Sequence, residues 1–579
     1  MVSLLALLIL YSSSVSNDCV MADMNNGQWR PTEVVSTEST VDSNNPAIAV
    51  DSQNNVHVVW HDFTDYDGSG TDTDIFYKYY NQATASWTLT QVISTESTGG
   101  SAYPSIAIDS HDNVHVVWQD TTDYQGSGID VDVFYKYYDR ATSSWTSTQV
   151  VSTESATNSD DPRIAIDSND NLHVVWYDFT DYGGSGSDPD IFYKIFSQET
   201  STWSVTQVVS SESTLASNFP AITVDSNDNV HVAWHDLTDY SGAGVDYDIF
   251  YKYYTPATST WSVTQVISTE GSSSSLYPSI TSDNNNNIHI VWHDQADYNG
   301  AGTDSDIFYK YFDQATATWS STIVVSTQST SSSYFSIVRT DNQDNVHFVW
   351  YDITNLNGAG TDTDVFHRVF YPQSVTWSRY DEISYNNGTS ARPNIDIDAS
   401  GRIHIVWDDQ TNYNGAGSEY DIFYRVYEKA PDSPQIQLLN QGPVLSSIGL
   451  SWEPIPFVTS YNIYRTNATI SEAKKIGSTI DTVYVDTSTE EDAYSYYVTA
   501  TNVVGESPRS NIILVSISRD TVSVTQSNNL TSLVSILGEN ITVTHKSGGS
   551  FVPISEVAGV AGIVFVVLII RFKRYEKKN

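Results

Sequence analysis

Pro104-Ser-Ile-Ala-Ile-Asp-Ser-His-Asp-Asn-Val-His-Val-Val-Trp118 is one copy of a unit that recurs along most of the 579-residue chain. Its His-Val-Val-Trp core places histidine at 57, 115, 173, 231, 289, 347 and 404, in five steps of 58 residues and a last one of 57. A second series, Trp29, Trp87, Trp145, Trp203, Trp261, Trp319 and Trp377, keeps the same period and also has seven members. Of the fifteen tryptophans only Trp452 stands outside the two series. Each unit holds four strand-like segments separated by turn residues, in the second unit 104–109, 113–119, 132–138 and 145–152. A four-stranded sheet repeated at this length buries both faces only against neighbouring copies, which predicts a β-propeller of seven blades over residues 27–429. The chain opens on a fourth-strand tryptophan and the seventh unit lacks one, so residues 28–36 are expected to pair beside 421–427 and close the ring.

These units resemble the repeats of sialidase-like propellers, the bacterial neuraminidase or Asp-box repeat. The spacing departs from a strict Asp box, in which aspartate stands five residues before the aromatic, since Asp109 precedes Trp118 by nine. The resemblance implies glycan chemistry, and in true sialidases six blades with an arginine triad, a Tyr/Glu pair and an acid aspartate. Arg140, Arg163, Arg339 and Arg402 occur singly at different repeat positions, so no triad is assigned.

The loop between second and third strands carries the acidic residues. In the first unit it reads Asp62-Phe-Thr-Asp65-Tyr66-Asp67-Gly68-Ser-Gly70-Thr-Asp72-Thr-Asp74. The four acids recur as Asp120, Asp123, Asp130, Asp132; Asp178, Asp181, Asp188, Asp190; Asp236, Asp239, Asp246, Asp248; and Asp294, Asp297, Asp304, Asp306. The last two units drift to Asp352, Asn355, Asp362, Asp364 and Asp409, Asn412, Glu419, Asp421. Oxygen-only ligands crowded on a glycine-turned loop suit calcium; the competing reading is that these aspartates cap turns without an ion. Tyr66, Tyr124, Tyr182, Tyr240, Tyr298 and Tyr413 stand beside the acids, as candidate stacking faces for sugars or as packing for their own loops. The repeat histidines sit on the second strand, cannot converge on one metal, and are expected to bond a neighbouring hydroxyl or carboxylate. Departures from the repeat gather in units six and seven (Arg339, Leu356, His367, Arg368, Arg402, Glu419), where an asymmetric site is expected if there is one.

Composition narrows the function. Seventy acidic residues against 26 basic give a net charge of −44, which repels phosphate backbones and argues against nucleic acid. The single cysteine, Cys19, excludes an intrachain disulfide and thiolate metal sites. Residues 4–11 are apolar and followed by small residues, the pattern of a signal peptide over 1–16. Residues 551–570 form an apolar run about 30 Å long as a helix, before a basic stretch, 571–579, that stays cytoplasmic. These features predict a single-pass cell-membrane protein with its N-terminal domains outside.

Between propeller and membrane, Trp452, Tyr461-Asn-Ile-Tyr464 and Tyr494-Ser-Tyr496-Tyr497-Val498 through Gly505 resemble a fibronectin type III domain, over 434–517, with a candidate tyrosine corner. Residues 518–550 read as a Ser/Thr/Asn-rich stalk. Glycosylation sequons stand at Asn387, Asn467, Asn529 and Asn540. The expectation is a surface recognition or adhesion protein binding glycans or surface proteins, with calcium as candidate cofactor. A membrane-anchored sialidase-like glycosidase and a surface-coat component are the alternatives; oligomeric state is not legible.

Overall fold

The structure is a computed structural model. It describes residues 27–518 and 521–527, apart from short gaps at 271–272, 357–359, 361, 385, 414–416, 418, 440–446, 456–457, 468–472, 488–491 and 503. The signal segment, Cys19, the 551–570 run, the basic tail, Asn529 and Asn540 lie outside the described residues. Among the described residues there is no helix, and hence none long and apolar enough to cross a membrane. The chain divides into two compact units, 1–428 and 429–579.

The first unit holds seven antiparallel sheets of one plan. In the second blade Ser101–Ile108 lies innermost, followed outward by Val114–Asp120 and Asp132–Asp139. The expected single fourth strand is two short pieces, Ser144–Trp145 and Gln149–Val150, both paired to the third. Consecutive inner strands pack against one another all the way round, including Ser43–Val50 against Ser390–Ile397, so the ring is closed. Closure uses the amino-terminal segment: Glu33 pairs with Tyr424 and Val34 with Phe423, while Arg30 and Val35 donate backbone bonds to Val426 (2.8 Å) and Ile422 (2.7 Å). No third-strand edge is left open in the seventh blade.

The repeated residues hold neighbouring blades together. Seven second-strand indoles, Trp60 to Trp407, are at most 1% exposed. Most of the other repeat tryptophans reach one blade back, whereas Trp377 packs on Phe348 and Phe370 of its own blade. Trp145 stands edge-on to Tyr77 at 5.2 Å and donates to Gln91, and Trp87 does the same to Tyr424 across the closure. Six repeat histidines bond a tyrosine hydroxyl and stand against an aspartate, as His115 does with Tyr135 (2.8 Å) and Asp109 (3.2 Å), which is the structural role expected of them; His347 pairs with His367 in place of a tyrosine.

A buried lysine forms a further inter-blade latch. Lys136 Nζ donates to Ile93 O (3.0 Å), Thr95 Oγ1 (2.8 Å) and Glu96 (2.7 Å) of the preceding blade. Burial pushes the Glu96 carboxyl up, but Lys136 and the Thr148 and Thr95 hydroxyls more than offset this and hold it low. Lys136→Met is expected to destabilise by about 2–3 kcal/mol, measured by denaturant unfolding, since it strands a half-buried carboxylate and a backbone carbonyl. In the sixth blade Arg368 takes the lysine's place and donates to Val325 O and Tyr380. Leu356 there packs into the apolar core, and His367 replaces the histidine's tyrosine partner. These unit-six departures therefore repack blade contacts.

The second unit pairs Gln437–Leu438, Ile448–Ser451 and Val483–Asp486 in one sheet, and Lys474–Thr479, Ser460–Asn467, Ala493–Thr501, Ile512–Ser518 and Thr521–Ser527 in another. Trp452, Tyr461, Ile463, Tyr496 and Ile513 fill its core. Tyr496 donates to the Asp486 carboxylate at 2.8 Å. The unit continues past Ile517: Thr521–Ser527 adds a strand within the segment read as stalk, because its Thr-Val-Ser-Val alternation suits a sheet edge.

Candidate functional site at the channel mouth

Every inner strand carries a β-bulge near its start, between residues such as Ala102 and Ser105. The bulged residues are Asn45, Tyr103, Asp161, Phe219, Tyr277, Phe335 and Arg392, all with φ between +46° and +52°. A non-glycine residue in the left-handed region is strained, and such strain gathers where a side chain must be aimed. Proline follows in six blades. It lacks an N–H, so the interrupted ladder leaves no donor stranded on this channel-facing edge.

The bulge turns these side chains into the axial channel, where they line a cavity of about 210 Å³. The register sets Ser101 against Asp120 and Ala102 against Gln119, so the bulge lies at the blade end that carries the acidic loops. A second ring interleaves with the first. It consists of the residues just after the buried indoles: His61, Gln119, Tyr177, His235, His293, Tyr351 and Asp408. Most touch the bulge residue of the following blade, as with His61 and Tyr103 (5.9 Å), Tyr177 and Phe219 (5.4 Å), and His235 and Tyr277 (5.7 Å). The Gln119 side chain accepts from the Asp161 backbone N–H at 3.0 Å.

The mouth is chemically lopsided. Phe219, Tyr277 and Phe335 form an aromatic arc with centroids 4.4 Å apart along it, and His293 stacks on Tyr277. Burial pushes His61 and His235 down to about 3 and His293 to about 4, so all three are neutral at physiological pH. In the seventh blade Arg392 binds the buried Asp408 through Nε (2.7 Å) and Nη2, and donates to Asn44. In the third blade Arg163 pairs with Asp161 at 2.9 Å, next to Asp160. Burial pushes the Asp160 and Asp408 carboxyls up to about 6; neighbouring carboxylates add to this for both, while Arg392 pulls Asp408 down.

The acids predicted from sequence divide by position in their loop. The first, exemplified by Asp120, accepts from Ser101, Ser97, the Trp118 indole and the Thr122 N–H, which occupies both oxygens in loop capping. The second accepts a loop N–H, as Asp123 does from Gly128. The third stands close under a positive-φ glycine: a Cβ on Gly70 would come within 2.7 Å of Asp72 Oδ1. The fourth is buried. Asp132 accepts from Ser152 (2.7 Å), but its other oxygen has no hydrogen-bond partner, and the same holds for Asp74, Asp190, Asp248, Asp306 and Asp364. Among the described residues the one grouping of three metal-ligating side chains is Asp109, His111 and Asp170, outside these loops. Tyr66, Tyr124, Tyr182, Tyr240, Tyr298 and Tyr413 each pack on the third-strand phenylalanine of their own blade, 5.8–6.1 Å between rings, and are half-buried there. Asn387 is exposed on a loop, and Asn467 ends a strand of the second unit.

Sequence reasoning passed over Arg392, Asp161 and the aromatic arc. The signal was there: aligned at the 58-residue period, the columns of Tyr103 and Gln119 change residue type from unit to unit while the indole beside them does not. Of the unit-six and unit-seven departures only Arg339 lines the same cavity.

No family model and no curated protein matches the chain. Similar solved structures include the polysaccharide lyase Uly1 (12% identity, TM-score 0.42, covering 66% of this chain and 89% of that one). The intramolecular trans-sialidase of Ruminococcus gnavus matches at 9% identity and TM-score 0.37, over 67% of this chain and 95% of its own. The NanB sialidase of Streptococcus pneumoniae matches at 11% and 0.36, over 70% and 71%.

Proposed function

We propose that this chain is a cell-surface recognition protein that binds a saccharide at the propeller's channel mouth. One observation carries the reading. Blades that share their indole, their histidine and the first and fourth acids of their loops differ in the two columns that meet at one end of the axis. Seven equal blades offer any axial ligand a sevenfold environment, whereas one ligand bound in one pose needs unlike neighbours. Aromatic faces beside fixed polar groups are what a sugar ring uses, through stacking on its C–H face and hydrogen bonds to its hydroxyls. The test is a glycan array probed with the full chain. Tyr277→Ala is expected to weaken binding at least tenfold with unchanged melting temperature, and binding indifferent to both Tyr277→Ala and Phe219→Ala rejects the mouth as the site.

The glycosidase reading draws on Asp160 and Asp408, whose carboxyls, raised to about 6, hold a proton closer to neutrality than an ordinary aspartate. Steady release of sugar from an oligosaccharide that binds would favour it over plain recognition.

The second unit fits a fibronectin type III module serving as a spacer, supported by its division into sheets of three and five strands and by Trp452 packing on Tyr461. Membrane attachment through 551–570 rests on the apolar run and the basic residues after it. Calcium enters as a proposal for the loops, with the fourth acid's unpartnered oxygen and the neighbouring third acid as the groups that would hold it. A melting temperature at pH 8 that rises with millimolar calcium and falls with chelator is the expected result; equal values reject it.

A further inference from the structure

Blade six breaks the repeat at one more buried position. The outer-strand residue paired with the third-strand phenylalanine is Val92, Val150, Val208, Val266 and Val324 in the first five blades, and Val34 in the closing segment. In the sixth it is Glu382, paired with Phe366 and 3% exposed. A buried carboxyl where six copies keep valine destabilises the fold unless something bonds it.

Its neighbours share the defect. Asp364, 1% exposed, lies two residues before Phe366 on the same strand, so its side chain shares a face with Glu382 one pleat away. Asp362 precedes it by two residues in the loop. Glu382 Oε2, Asp364 Oδ2 and Asp362 Oδ2 are all buried without a hydrogen-bond partner, whereas among the loop acids of the first five blades only the fourth has such an oxygen. The three carboxyls also feel one another. Burial pushes Asp364 up to about 8 and Glu382 to about 7; the Ser384 hydroxyl lowers the first and Arg425 the second, and the charge of Asp362 raises both. Arg425 itself donates to Ile383 O (2.7 Å) and Arg30 O (2.8 Å).

We propose that Asp362, Asp364 and Glu382 form a calcium site confined to blade six. Three carboxylates with no nitrogen or sulfur donor make a hard, oxygen-only set, and calcium accepts irregular geometry where magnesium demands an octahedron and keeps its waters. Like charges hold the three side chains apart in the structure, and Glu382, with three side-chain torsions, is the member that turns to close on a cation. The grouping of Asp109, His111 and Asp170 is a poorer host, because Asp109 already bonds Asn113 and His115 and Asp170 accepts twice from Ser110. The blade-six site stands apart from the saccharide reading of the mouth, and Glu382 separates it from calcium in the other loops.

The experiment is calorimetric titration of the chelator-washed full chain with calcium at pH 8, paired with terbium luminescence excited through tryptophan, since Trp350 stacks on Phe366 at 6.1 Å. The expected result is one equivalent bound at least tenfold more tightly than any other calcium on the chain, with terbium emission that calcium displaces. Glu382→Val gives blade six the residue that the other copies keep, so it is expected to fold, to melt no lower than the unaltered chain in chelator, and to lose that equivalent. Glu382→Gln is a second variant of nearly the same shape, and Asp132→Asn, in blade two, keeps the tight site. If both Glu382 variants bind calcium as the unaltered chain does, or all bound calcium is equivalent, the proposal is overturned while calcium in the loops stands. If neither calcium nor terbium binds, both fall and the saccharide reading is untouched.

Discussion

Melting temperature is expected to be highest near pH 4 and to fall by roughly 10 °C by pH 8, at about 1 kcal/mol per blade. The cause is the fourth acid of each loop. Burial pushes Asp74, Asp132, Asp190 and Asp421 up to about 6, Asp248 and Asp306 to about 7 and Asp364 to about 8; a serine hydroxyl lowers each without cancelling burial, and nearby carboxylates add to the rise. A folded-state value above the unfolded one of about 3.9 means that the native state holds protons the unfolded chain releases. That stability is complete below about pH 4 and is lost as pH rises through 6 to 8. Asp109, Asp167 and Asp225 oppose it at the acid end. Burial raises them, but their repeat histidine and asparagine bonds hold them at about 2, so their contribution is complete above pH 4 and is lost as pH falls towards 2. Asp364→Asn keeps the shape of the neutral carboxyl and accepts from Ser384 in its place. It should raise the melting temperature at pH 8 and leave it nearly unchanged at pH 4. A melting temperature that is flat or rising from pH 5 to 8 contradicts the assignment.

Deleting residues 27–36 is expected to abolish cooperative unfolding and leave an aggregating chain. The deletion removes Glu33 and Val34 from the seventh sheet and exposes the edge of Asp421–Lys429. It also removes the Val35 carbonyl that Lys78 binds at 3.0 Å and the Glu33 carboxylate that receives the Trp87 indole. Seven blades held only by their neighbours lose both an edge and an interface at once, unlike a solenoid, which would only fray at one end. Adding a peptide of residues 27–40 should restore a monomeric, cooperatively melting protein. A truncated chain that stays monomeric with an unchanged melting temperature would show that the ring does not depend on this strand.

Much of the architecture was legible because its signals are periodic. Two tryptophan series at one interval counted the blades, and their phase showed which strand was missing and where the amino-terminal residues 28–36 had to go. The acidic loops were located equally well, yet the chemistry of each acid was not. Asp120 and Asp132 sit twelve residues apart in one loop, but the first is saturated by four donors and the second keeps a buried oxygen unpartnered. That difference depends on which hydroxyls the neighbouring strands bring within reach, and spacing along the chain does not encode it.

From sequence alone follow the repeat, the number of blades, the closing strand and the acidity of the loops, because each is a property of residue order or composition. Tertiary structure alone decided that Asp161, Tyr277 and Arg392, more than a hundred residues apart, line one cavity. The reason is that a bulge with positive φ turns each side chain inward, and only a closed ring turns seven inward directions into a common centre.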